Sequence, residues 1–277
     1  MSQGIKLRSF DYPPEQLAKL WSRLHQGDCE PFPDADWVQR IRLAHPALAS
    51  KLRPEDAASA LQNAWRAYHR GDFAEATELG TALGLLGYNV ANKAANIQAT
   101  YIEQDEERKL AMLVATSRRA ETLQAAAPDL ANAWYFHAQA LGRYSQAISI
   151  TRARAEGLAG KVRHSLERAL GLAPNHAEAH IAFGGFHADI VAKVGAMLAQ
   201  LTYGASREAA LQHYTEALRL IPHSAIARIE YAQRLVRLFG RGRLAEAKQL
   251  YAEASSLEAS DEMERLDSAF ARDSLAR

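Results

Sequence analysis

Three segments of this 277-residue chain share one punctuation, which restricts the fold more than any other feature of the sequence. They are Ala127-Pro128-Asp129-Leu130-Ala131-Asn132-Ala133, Ala173-Pro174-Asn175-His176-Ala177-Glu178-Ala179 and Ile221-Pro222-His223-Ser224-Ala225-Ile226-Ala227. Their prolines stand 46 and 48 residues apart. Proline has no N–H to donate and drives the residue before it out of the helical region, so each should end one helix just before another begins. After each proline an apolar face recurs at offsets 0, 3, 4 and 7. Trp134, His137, Ala138 and Leu141 align with His180, Phe183, Gly184 and His187, then with Arg228, Tyr231, Ala232 and Leu235. Before the prolines a second helix carries Val162-Leu166-Ala169 and Ala210-Tyr214-Ala217, and Ala247-Tyr251-Ala254 closes the series without a proline. Small residues at the crossings let paired helices approach. A pair of this size cannot bury its apolar face alone, so neighbours must stack.

Composition agrees. Hydrophobic residues make up 48% and charged residues 23%, as in an ordinary globular chain. Alanine, which loses no side-chain entropy in a helix, is abundant, whereas aromatics are few. The expected class is all-α.

Two turns and two endings give the repeats a resemblance. Gly71-Asp72-Phe73-Ala74-Glu75-Ala76 and Gly242-Arg243-Leu244-Ala245-Glu246-Ala247 resemble the inter-helix turn of a tetratricopeptide repeat (TPR). The Ala-Leu-x-Leu-x-Pro runs ending at Pro174 and Pro222 resemble its close. The likeness covers about residues 57–257. It implies a right-handed superhelix of about five stacked antiparallel helix pairs, a TPR-like α-solenoid over residues 54–260. An N-terminal helical cap (1–53) and a C-terminal capping helix (261–277) would flank it. The family repeat is about 34 residues, shorter than these units. The excess falls in residues 143–160 and 188–206 and reads as a lengthened first helix plus a longer connection. The unit at 86–128 is degenerate, and HEAT-like arrays of longer helices are an alternative.

Charge excludes some partners. The formal net charge is +1, so no global field draws the chain to nucleic acid or acidic membranes. It is unevenly placed, at −2 over residues 1–129, +7 over 130–250 and −4 over 251–277. The basic runs around Arg152–Arg163 and Arg234–Lys248 lack the stacking aromatics of a nucleic-acid surface, which makes that partner unexpected. The most apolar stretch, 181–203, contains His187, Asp189, Lys193 and Gln200 and is no membrane span. A single cysteine, Cys29, and an N-terminus without an apolar leader point to a cytoplasmic protein.

No residue set reads as a catalytic centre, metal site or cofactor cradle. His176, His180 and His187 share a helix face, but His180 and His187 occupy repeat-core positions, so packing is the favoured role. Asn89, Asn92, Lys93 and Asn96 form a polar stripe opposite Val90, Ala94, Ile97 and Tyr101. Asparagine is a poor helix former, so the stripe suggests hydrogen bonds to a ligand or partner, to the next helix, or to solvent alone. In the resembled family the first helices line a concave groove, which would place Tyr135, Gln139, Arg143, Gln233 and Arg237 on it. The expected function is therefore a non-catalytic scaffold holding a protein or peptide in that groove. The alternative is a small-molecule binder with a pocket at the elongated helices. A second copy of the chain is a further candidate partner, packing on the Ala- and Gly-rich 188–205.

Overall fold

The computed structural model describes residues 10–275. Among them no strand occurs. The helices are α1 (Pro14–Leu24), α2 (Ala35–Ala44), α3 (Pro54–Arg70), α4 (Phe73–Ala82), α5 (Tyr88–Ile97), α6 (Glu106–Ala126), α7 (Ala131–Ala147) and α8 (Ile150–Ala155). After these come α9 (Leu158–Leu172), α10 (Ala177–Val194), α11 (Ala196–Tyr203), α12 (Arg207–Leu220), α13 (Ala225–Phe239), α14 (Leu244–Ser256) and α15 (Glu262–Leu275).

The proline turns behave alike because one steric rule makes them. Ala127, Ala173 and Ile221, each preceding a proline, end α6, α9 and α12 at φ/ψ of −146/77°, −135/85° and −130/73°. Two of the following helices then open on a side-chain cap. His176 Nδ1 accepts from Ala179 N–H, and Ser224 Oγ from Ala227 N–H. α3 ends differently, on Gly71 at φ 95°, with Asp72 N–H returning to the Ala67 carbonyl. That left-handed cap costs a side chain dearly and glycine nothing.

Helices pack in sequence, α3 on α4, α4 on α5, α6 on α7, α7 on α9, α10 on α12, and α13 on α14. The core is correspondingly a chain of clusters. Trp21, Trp65, Tyr68 and Phe73 form one near the N-terminus, while Phe136, Leu141, Leu166 and Phe183 anchor a larger one in the middle. Gly184 lets α10 meet α12, since a Cβ there would lie 2.9 Å from the Tyr214 ring. The excess length in two units is resolved as extra helix. Both α7 and α10 are long, and α8 and α11 are short helices of their own rather than mere connection.

The stack closes on itself. α15 packs against α13 and α14 and also reaches α3. Met263 and Leu266 join the N-terminal cluster. Arg23 makes a two-pronged pair with Glu264 (2.8 and 3.2 Å), and the Tyr101 hydroxyl donates to Asp267 (2.6 Å). First and last elements thus touch across the concave side.

Candidate functional site

The concave face is built by α5, α7, α10 and α13, and its two ends are occupied differently. Across the N-terminal ends of α5, α7 and α10 lies the chain's own segment Gly27–Glu30. The Gly27 carbonyl accepts from Glu178 N–H (2.9 Å). Asp28 accepts from Lys93 Nζ (2.5 Å) and His25 Nδ1 (2.9 Å). Asn132 Nδ2 donates to the Asp28 carbonyl (2.9 Å) and to Glu30 (2.5 Å), and Asn89 Nδ2 also donates to Glu30 (3.0 Å). His176 fixes Asn132. Its Nδ1 accepts from Ala179 N–H, so the proton sits on Nε2, which donates to Asn132 Oδ1 (2.8 Å).

Burial governs the protonation of this network. Desolvation lowers His25 and His176 to about 4. It raises Glu30 to about 7, with Asp28 adding to the shift. Asp28 is also desolvated, yet Lys93 and His25 together hold it well below the usual carboxylate range. Lys93, likewise buried, is held well above its ordinary value by Asp28 and then Glu178. From His25 the network continues to His69 (Nε2 to Nε2, 3.2 Å), whose Nδ1 lies 2.9 Å from Asp261 at the head of α15.

The polar stripe on α5 is thus bound within the chain. Asn89 and Lys93 hold Glu30 and Asp28. Asn92 accepts from Arg119 on α6 (3.0 Å), and Asn96 donates to Gln139 on α7 (2.8 Å) and to the Phe136 carbonyl (3.3 Å).

Beyond this plug the concave face opens into a cavity of about 480 Å³. Of the residues anticipated for the groove, Lys93, Tyr135, Gln139 and Arg143 line it. Asn89, Asn92 and Asn96 sit behind the wall, and Gln233 and Arg237 lie outside the lining. Gln233 accepts from Arg234 (3.2 Å), and Arg237 approaches Asp189 (3.3 Å). A relay of charges crosses the wall. Arg143 pairs with Glu230 (2.9 Å), Glu230 with Arg234 (3.2 Å), and Arg234 with Asp189 (3.1 Å). Of the acidic wall residues Glu178, Asp189, Glu230 and Asp267, the sequence drew attention to Asp189 alone, and not as part of a cavity. They come from three helices and become neighbours only when the stack curves. α8 and α11 add an apolar lip, with Ile150 and Leu198 exposed at the mouth.

The histidines serve packing and local bonds. His180 and His213 meet at 2.8 Å, and His187 stacks on His213 at 5.5 Å between ring centres. Among the described residues no group of three side chains is arranged to hold a metal. His137 bridges Ser165 Oγ (2.8 Å) and Glu121 (3.2 Å), the connectivity of a hydrolytic triad. However, Ser165 is only 1% exposed, and none of the three lines the cavity. A nucleophile without access to substrate does no acyl transfer.

Stacked helix pairs, proline-closed repeats and a concave face lined by first helices define a tetratricopeptide-like α-helical repeat protein. A thermophilic TPR protein of Thermus thermophilus is similar in structure, with a TM-score of 0.55 and 20% sequence identity over 78% of this chain and 98% of that one. At that identity the likeness is one of fold. No protein-family model matches the chain, and no curated protein does. Among the described residues no helix is long and apolar enough to cross a membrane.

Proposed function

We propose that this protein is a non-catalytic binding module whose concave cavity takes the end of a peptide chain from a partner. The supporting observation is the cavity itself. At about 480 Å³ it lies within the range of pockets that enclose compact ligands, and first-helix side chains line it. The expected open groove for a long extended peptide is narrowed here, because Gly27–Glu30 cross the N-terminal ends of α5, α7 and α10. A chain end of a few residues, rather than a strand passing through, suits the space that remains. A small molecule in the same cavity is the second reading, favoured by the closure of α15 onto α3.

Gly142 gives a clean test. It lies on α7, lines the cavity, and has no described residue within 4 Å of where a Cβ would stand. Gly142→Phe should therefore fill the cavity without disturbing packing. Wild-type and variant protein, immobilised and challenged with a randomised hexapeptide pool, should differ by at least tenfold in retained peptide at unchanged melting temperature. Equal retention would remove the cavity as the binding site.

A further inference from the structure

The cavity wall carries six basic and six acidic side chains, yet among the described residues one of the acids has no cation beside it. Lys93 serves Asp28 and Glu178, Arg143 and Arg234 serve Glu230, Arg234 also serves Asp189, and Arg23 serves Glu264. Asp261 has the His69 ring. Asp267, also on the wall and only 2% exposed, has no such partner among the described residues. Its carboxyl accepts one side-chain hydrogen bond among the described residues, from the neutral hydroxyl of Tyr101. Burial, and beyond it the carboxylates of Asp261, Glu264 and Glu230, push that carboxyl well above the usual range. A buried acid on the cavity wall, with its neighbours already paired, leaves a vacancy for one positive charge.

The mouth carries the opposite sign. Arg154 and Lys193 line it and are exposed, next to the apolar Ile150 and Leu198. A ligand with several positive charges would meet repulsion there. One with a single positive head followed by apolar and acidic groups would be matched throughout. Taking the cavity-binding proposal as its basis, we infer that the wall seats the free ammonium of a peptide N-terminus against Asp267, with the next residues leaving past the apolar lip and basic rim. Three N–H donors on an ammonium suit a carboxylate and the Tyr101 oxygen beside it.

Two hexapeptide pools of the same randomised composition, one with free and one with acetylated N-termini, would be passed over immobilised protein and read by mass spectrometry. The expected result is at least tenfold greater retention of the free pool. Asp267→Asn keeps the acceptor for Tyr101, so it should fold, as circular dichroism and the melting temperature would verify, and it should erase the discrimination. Equal retention of both pools, blocked by Gly142→Phe, would overturn the ammonium assignment while sparing the cavity. Retention of acetylated peptides only when they contain lysine would also overturn it, in favour of a side-chain ammonium. No retention of either pool would overturn both proposals.

Discussion

The two ends of the concave face are made by the same helices and differ in nearly every physical respect. At the N-terminal ends of α5, α7 and α10 the chain supplies its own complement. Gly27–Glu30 fill the face, and Asp28, Lys93, Asn132 and His176 are buried and paired. Farther along α7 and α10, Gly142, Gln146, Ile190 and Lys193 face open space, which α8 and α11 extend. One repeat geometry therefore yields a sealed polar joint or a cavity, according to whether a segment of the chain itself lies on it. Stability should reside at the sealed end and binding at the open one, and substitutions can separate them.

The sealed end should give the largest effect. Lys93→Met leaves Asp28 buried without its cation, and breaking a buried pair from one side costs about 3–5 kcal/mol. Urea denaturation should show a loss of that size. Adding Asp28→Asn should return much of it, because the amide needs no counter-charge. A loss below about 1 kcal/mol for Lys93→Met would mean that the joint contributes little.

Acid sharpens the same contrast. His25 and His176 titrate near 4 in the fold against an ordinary 6.5. Between those values the unfolded chain binds protons that the folded one does not, so stability falls as pH drops through that window. Each shift corresponds to on the order of 3 kcal/mol. Glu30 works in the opposite sense. Raised from 4.5 to about 7, it keeps its proton in the fold while the unfolded chain has lost it, so it favours the fold as pH falls through that interval. Glu30→Gln should therefore steepen the decline in melting temperature between pH 7 and 4.5. A shallower decline than wild type would contradict the assignment.

Much of the fold was readable because its signals are local. A proline before α7, α10 and α13, an apolar face at 0, 3, 4 and 7, and a glycine able to take φ 95° at Gly71 each act within a few residues. The site was less readable because it depends on curvature. Asn89 and Lys93 stand out as polar residues on a helix face, but the spacing on α5 cannot say that Glu30 and Asp28 answer them from about sixty residues away. Asp267, Glu230 and Asp189 are scattered over the last two-fifths of the chain, and the packing of α13 on α10 and of α15 on α13 gathers them. The role of Gly27–Glu30 follows from Asn132 and His176, neither of which neighbours it in the chain.

The smallest expected effects come from two glycines on neighbouring first helices, and their signs should be opposite. Glycine inside a helix costs about 0.5–1 kcal/mol relative to alanine through the freedom it has in the unfolded chain. At Gly184 that cost is offset by packing. A Cβ there would stand 2.9 Å from the Tyr214 ring, which is itself fully buried, so Gly184→Ala should destabilise by roughly 1–3 kcal/mol. At Gly142 no described residue lies within 4 Å of the new methyl group, so no contact among them accounts for the missing side chain. Gly142→Ala should therefore stabilise by about 0.5–1 kcal/mol, seen as a small rise in urea midpoint with an unchanged slope. If Gly142→Ala instead destabilises, the space beside α7 is closed in solution and the open end of the comparison is lost. If it stabilises, the bare glycine leaves room in the cavity at a cost the fold itself does not recover.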